Sequence, residues 1–497
     1  MRWLLLCALL PFTLVAREEF DLVQLEKKYE QMLDRFQVPG ASVALIVDGK
    51  VVLKKSYGVR NIETKEPVTS ATLFPIASCT KAFTSLLLGI MSEEGSIDWD
   101  VPLHSYDPSF LLKDQMTTRR ITLRDLVAHR TGFPAYDTLW FQSGLSREEL
   151  MERMKFLDEV ADLRAGFHYS NLMYMVAALF AEKKAHASWE DLVETKILKP
   201  LGMNATTPRR ETFLQNSNIA APHAVVTGAQ GNPERMIIPF IDVTPIAPAG
   251  GLHSNLDNMI TWAQFQLNGG EWQGKRLISA GMMKELHTPQ VVRSKYPDLK
   301  EVCLEAYGLG WVLQAYRGYF CVYHLGNIPG FVCLVAMVPE EKTALVVMTN
   351  LANSSAPEAI ARVTWDTLFH LPEVAWGEQL PSQMHEKQST MPATVVSPGT
   401  EELARYAGLY NHPAYGELRI DLFAGHLLLR FRGLTLPLVA TASGSFTPDP
   451  KIIASSPILE KLSSCQLLFR NTKEGKAQEL LATLEYGTPE LLFSRTN

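Results

Sequence analysis

The sequence predicts an α+β protein: a five-stranded antiparallel sheet flanked by helices, with a helical lobe, followed by a C-terminal all-β domain. Three observations carry this expectation. Strand-like runs lie near the start of the chain and again after Gly318, so the two ends must meet to build one sheet. From Thr80 to about Leu201 the pattern is mainly helical with polar loops. After Gly399 come short β-type runs separated by turn residues.

The first two strands are Ala41–Val47 and Val51–Tyr57. Asp48-Gly49-Lys50 joins them, and an Asp-Gly pair favours the tight turn of a hairpin. Three more runs come late: Tyr319–His324, Phe331–Val338 and Thr343–Met348, with Pro339-Glu340-Glu341-Lys342 as a turn. Helices are expected over both faces of the sheet and in a separate lobe. Residues 371–398 are rich in Pro, Ser, Thr, Gln and Glu, lack periodicity and read as a linker. Beyond it, Gly416–Leu422, His426–Phe431, Gln466–Phe469 and Leu480–Leu484 predict a barrel or sandwich over residues 399–497. Residues 17–370 then form the main domain.

The chain has 497 residues, 46% of them hydrophobic and 20% charged, which suits a globular protein of two or more domains. Met1-Arg2 precedes an almost wholly apolar run, Trp3–Ala16, and then Arg17-Glu18-Glu19. One positive charge, a short apolar stretch and a small residue at Ala16 predict a secretory signal peptide over residues 1–16. Leu14 is not the small residue a cleavage site prefers two positions earlier, and an uncleaved anchor is the alternative. The run is short for a membrane span, so no membrane is expected after cleavage. Net charge is −6, and −7 without Arg2 (46 basic against 53 acidic). No long basic run occurs, which argues against nucleic acid as a partner.

Asn204-Ala205-Thr206 and Asn353-Ser354-Ser355 are N-glycosylation sequons, so Asn204 and Asn353 are candidate glycan sites on a secreted, extracellular protein. Outside the leader stand five cysteines: Cys79, Cys303, Cys321, Cys333 and Cys465. An odd number without C-x-x-C spacing speaks against a zinc site and a dense disulfide scaffold, although Cys321 and Cys333 flank a hairpin and are a candidate bridge. No ligand cluster appears, so neither metal nor cofactor is expected.

Ser78-Cys79-Thr80-Lys81 stands at the start of an apolar helix running from Ala82 toward Gly95. Positions i and i+3 share one helix face, so the hydroxyl and the amine can meet. A serine hydroxyl needs a base near neutral pH, and a lysine desolvated against apolar neighbours can lose its proton and serve. The helix N-terminus also favours a developing oxyanion at Ser78. Two further motifs give this pair a context. Tyr169-Ser170-Asn171 precedes another apolar helix; the Tyr169 phenol is a candidate proton relay, and the Asn171 amide would orient Lys81 and a substrate carbonyl. Either residue 170 or 171 would otherwise serve simply as a helix cap. His324-Leu325-Gly326-Asn327 runs off the third sheet strand; Gly326 would permit close approach, and the Asn327 N–H would be the second oxyanion donor beside that of Ser78.

With these three motifs in order, the chain resembles the serine β-lactamase and penicillin-binding protein superfamily, in its class C β-lactamase, D,D-peptidase and esterase branch. The S-x-x-K, Y-x-N and K/H-x-G motifs of that family correspond to Ser78–Lys81, Tyr169–Asn171 and His324–Gly326, separated by 91 and 155 residues. Lesser similarities lie at Ile121–His129 through Thr131-Gly132, Leu201-Gly202-Met203, Ala249–Leu252 and Tyr307–Trp311. The resemblance spans roughly Leu25 to Leu371, and the C-terminal β domain is similar to accessory domains of some members. It implies that Ser78 is acylated, that Lys81 and Tyr169 share the proton transfers, that Asn171 orients, and that water releases the acyl group.

The third motif departs from the family's frequent Lys-Thr-Gly. Lysine and threonine there bind the carboxylate of β-lactams and peptide C-termini. Histidine is mostly neutral at pH 7, and Leu325 has no hydroxyl. The expectation is a secreted serine hydrolase acting on a small-molecule or peptide substrate, an ester, amide or peptide, with weak or no β-lactamase activity. The alternative is a catalytically weak or inactive member serving as an extracellular matrix or binding protein. The intact Ser78, Lys81, Tyr169 and Asn171 favour the enzyme. Oligomeric state is not readable from the chain.

Overall fold

The computed structural model describes residues 20–227, 232–294, 299–382, 395–454, 456 and 458–496. The signal-peptide segment therefore lies outside the described residues, as do residues 383–394 of the expected linker.

An antiparallel sheet of eight strands forms the middle of the larger part. In spatial order its strands are Lys50–Gly58, Gly40–Val47, Thr343–Thr349, Phe331–Val338, Tyr319–Ile328, Val312–Tyr316, Val302–Tyr307 and Val291–Ser294. The five expected strands are all present and adjacent. Three more extend one edge, so the count of five is corrected to eight. Val302–Tyr307 and Val291–Ser294 are short, partly exposed and broken by register shifts, so they lack a clean alternation of two.

Asp48 and Gly49 both take positive φ in the first hairpin, at 51° and 74°, as its two-residue turn demands. Phe331–Val338 is buried on both faces along its whole length. Its alternate residues serve two cores. Cys333, Val335 and Met337 face the core under the helical lobe, while Leu334, Ala336 and Val338 face the helices Leu22–Arg35 and Ala356–Leu368.

That alternation also settles the cysteines. Cys321 packs in one core and Cys333 in the other, so the sheet lies between them and both are free thiols. The bridge between them is therefore corrected.

Helix Thr80–Glu93 is buried at every residue from Thr80 to Met91, as an apolar helix without a polar face must be. Burial of Leu86, Leu87 and Leu88 contributes about 1.5–3 kcal/mol each. Helix Asn171–Ala185 packs against it, buried from Leu172 to Ala181.

The C-terminal strands close into an eight-stranded barrel, Gly408–His412 through Leu491–Thr496, so the all-β expectation resolves as a barrel. The start of the expected linker is packed onto the main domain. Trp376 is buried there, and its indole N–H donates to Asp366 Oδ2 at 2.8 Å. One aromatic side chain with a buried partner outweighs a loop-like composition. Among the described residues no helix is long and apolar enough to cross a membrane, and no cluster of side chains could hold a metal ion.

Candidate active site

Ser78 sits in a single 3₁₀ turn, Ala77–Cys79, that leads straight into the helix Thr80–Glu93. Ala77 has φ +46°, a left-handed conformation that a residue with a Cβ adopts at a cost of about 1–3 kcal/mol. The strain turns the chain sharply just before Ser78 and presents its side chain at the helix start.

Lys81, one helical turn on, is fully buried, and its Nζ has three oxygen partners. It donates to Ser78 Oγ at 3.1 Å, to Asn171 Oδ1 at 2.7 Å and to the Ala249 carbonyl at 2.9 Å. Burial pushes its pKa from the usual lysine range down to about 7, against an opposing pull from the Asp137 carboxylate. An amine at that value is neutral often enough at physiological pH to take a proton.

Tyr169 precedes the helix Asn171–Ala185 and reaches the same oxygen. Its hydroxyl donates to Ser78 Oγ at 2.9 Å, and its ring lies 4.6 Å from Lys81 Nζ. Burial drives its pKa well above the ordinary phenol value, so the proton stays on the oxygen until a transfer demands it. Asn171 is the first residue of its helix, with Ser170 in the extended conformation before it. Thus four residues of two separate motifs converge on Ser78 Oγ and Lys81 Nζ.

The third motif forms the opposite wall. A Cβ on Gly326 would lie 2.2 Å from the Ile76 carbonyl oxygen and 3.0 Å from the Ser78 nitrogen. Only glycine lets the strand lie this close to the Ser78 backbone. Asn327, the next residue, is exposed, and its amide donates to Asn353 Oδ1 at 2.8 Å.

His324 is buried and satisfied from within the fold. Its Nδ1 carries the ring proton and donates to the Leu325 carbonyl at 2.9 Å, and Nε2 accepts from the Tyr307 hydroxyl at 2.9 Å. Burial, with the nearby Lys81 charge, pushes its pKa down to about 3. His324 is thus a neutral wall residue. Leu325 points to the other face of the sheet, into the core beside Leu22–Arg35.

Several groups of the site lie outside the three motifs. Asp137 Oδ1 accepts from Asn171 Nδ2 at 3.0 Å, which fixes which way the Asn171 amide faces. The Ala249 carbonyl lies in the Ala249–Leu252 segment already noted, but a backbone acceptor is invisible as a residue type. His129 packs its ring against Tyr169, Tyr174 and Tyr307 and accepts the Ser170 N–H at 3.1 Å. Asp137 is an isolated acid on a four-residue helix, and nothing in its local sequence distinguishes it.

Of the sequon asparagines, Asn204 is exposed, whereas Asn353 is half-buried with its side chain held by Asn327.

Comparison with known proteins places the whole chain. An unguisins hydrolase of Aspergillus campestris is 29% identical over 423 residues, covering 79% of this chain and 76% of that protein. Protein flp of Staphylococcus aureus is 24% identical over 357 residues, covering 70% and 66%. The octameric penicillin-binding protein homologue from Pyrococcus abyssi superposes with a TM-score of 0.60 at 21% identity, over 95% of this chain and all of that one. The family described as Beta-lactamase matches residues 25–368, most of the chain, and the protein belongs to the beta-lactamase family.

Proposed function

We propose that the protein is a serine hydrolase that works through an acyl-enzyme on Ser78. The observation that carries this is the double hydrogen bond at Ser78 Oγ, from Lys81 Nζ at 3.1 Å and Tyr169 OH at 2.9 Å. Relatives named as hydrolases support the reaction class.

Neutral Lys81 accepts the Ser78 proton as Oγ attacks the substrate carbonyl. The backbone N–H groups of Ser78 and Asn327 hold the oxyanion that forms. Tyr169 passes a proton to the leaving group and is recharged by Lys81, and Asn171 holds Lys81 in line. Water then attacks the acyl carbonyl by the same route in reverse, returning the proton to Ser78.

The substrate is an ester, amide or peptide, and β-lactams are poor. Supporting this are a neutral, internally satisfied His324 and a Leu325 turned to the other face, which leave this stretch of strand without a cation or hydroxyl for a carboxylate. We also take the protein as secreted, on the strength of the apolar leader and the exposed Asn204 sequon.

Steady-state kcat/KM on p-nitrophenyl esters, peptide amides and nitrocefin tests the reading. Turnover of an ester or amide that disappears in Ser78→Ala, with nitrocefin far slower, is the expected result. Efficient nitrocefin hydrolysis overturns the substrate assignment, and no turnover of any of them favours a binding or matrix role.

A further inference from the structure

The C-terminal barrel reaches the catalytic centre. Lys461, on the short turn Glu460–Leu462 beside the barrel, forms an ion pair with Asp137 Oδ2. Asp137 Oδ1 is 3.0 Å from Asn171 Nδ2, and Asn171 Oδ1 is 2.7 Å from Lys81 Nζ. One continuous line of hydrogen bonds therefore runs from the barrel to the amine that contacts Ser78.

Other barrel groups fix the same stretch of the lobe. Glu485 accepts the backbone N–H groups of Asp137 and Thr138 at 2.8 and 2.9 Å. The Arg432 guanidinium donates to the carbonyls of Thr138 and Leu139, and the Tyr415 hydroxyl lies 3.2 Å from Thr138 Oγ1. The helix Asp137–Trp140 has only four residues and cannot hold its own shape. Its geometry depends on the barrel.

We propose that Lys461 is a positioning residue of the acyl-transfer site, holding Asn171 and through it Lys81 by way of Asp137. This rests on the reading of Ser78 as the acylated residue. The amide of Asn171 can face either way in isolation. An ionised Asp137 accepts only, so it draws the Nδ2 side and leaves Oδ1 for Lys81. Burial works against that ionised carboxylate, and the Lys461 charge and hydrogen bond, with hydrogen bonds from Asn171 and Trp140, hold it below its usual range. Without Lys461, the Asp137 charge is no longer offset, its hold on Asn171 is no longer anchored to the barrel, and the Lys81 amine is raised.

The groups facing Lys81 are Cys79 on its own turn, Tyr169 and Tyr174 across the helix pair, Asp137 and Lys461 on the barrel side, and His129 and His324 on the other. Glu485 faces Asp137, and burial, followed by the Asp137 charge, raises its pKa above the ordinary carboxylate range.

The test uses the full chain. Lysine-selective isotope labelling with NMR reads the Lys81 titration midpoint, assigned by its loss in Lys81→Arg, and a fluorophosphonate probe reads the rate of Ser78 acylation. Lys461→Met is expected to raise the midpoint by about one pH unit and to slow acylation roughly tenfold or more. Asp137→Asn is expected to move the midpoint the opposite way, and Lys461→Arg to restore both readouts. Should Lys461→Met not fold, Lys461→Gln carries the same test. An unchanged midpoint in the Lys461 variant overturns the proposal, even where its melting temperature falls. If wild-type Ser78 is not labelled at all, the hydrolase reading fails, and the NMR midpoints still decide the link from Lys461 to Lys81.

Discussion

Lys81 Nζ lies 3.1 Å from Ser78 Oγ, one helical turn away and fully buried. Burial, the larger influence, sets the amine at about 7, where a small change in pH decides whether it can accept a proton. The rate of Ser78 acylation should therefore rise with pH through an acid limb centred near about 7 and level off above it. Lys81→Arg keeps a cation that cannot deprotonate and should lower the rate by a factor on the order of a hundred or more at every pH. A stopped-flow pH profile with a fluorophosphonate checks both statements. A flat profile from acid to neutral pH rules out Lys81 as the base.

Tyr169→Phe removes one of the two hydrogen bonds to Ser78 Oγ and changes nothing else in shape. A proton relay of this kind contributes about a hundredfold to ten-thousandfold. kcat should fall by about a hundredfold, more for amides than for p-nitrophenyl esters, whose leaving group needs no proton. Equal losses on both substrates would assign Tyr169 to orienting Ser78 alone.

Gly326→Ala places a methyl 2.2 Å from the Ile76 carbonyl oxygen and 3.0 Å from the Ser78 nitrogen. Both neighbours are backbone, so the strand must retreat. The expected cost is about 1–3 kcal/mol of stability, the usual range for forcing extra volume into a packed site. Activity should fall more than stability, because the two sides of the oxyanion site separate. Thermal melts and ester turnover on the same preparation separate the two effects.

Histidines packed into the fold are held neutral: burial pushes His253, His287 and His412 down to about 4 and His324 to about 3, and it lowers His129 and His223 as well. In the unfolded chain each takes a proton below about 6.5. Between that pH and about 4 the unfolded state binds more protons than the fold, so stability is lost as pH falls through this window. Melting temperature should drop from neutral toward about pH 5, and His287→Gln should reduce the slope.

Much of the site is legible in the sequence because each motif is local. Ser78 and Lys81 are three apart on one helix, and Tyr169 and Asn171 two apart at the start of another. The central strands announce themselves as apolar runs, because Phe331–Val338 is buried on both faces. What the sequence does not show depends on distance along the chain. Asp137 and Lys461 are 324 residues apart, and Asp137 and Glu485 are 348 apart. Each is one charged residue with no local pattern to mark it until folding joins them. The edge strand Val291–Ser294 is equally hidden, since its central residues Val292 and Arg293 both face solvent and the strand follows no period of two. Trp376 is the opposite case: a single buried anchor within a Pro- and Ser-rich stretch turns an apparent linker into packed chain.

The central claim is that Ser78 becomes acylated. Treating the full-length protein with a fluorophosphonate, digesting it and mapping the adduct by mass spectrometry tests this most directly. The account predicts one modified peptide, with the adduct on Ser78, absent in Ser78→Ala and formed slowly in Lys81→Arg. A folded protein that takes no label, or labels at another serine and keeps that label in Ser78→Ala, would contradict it.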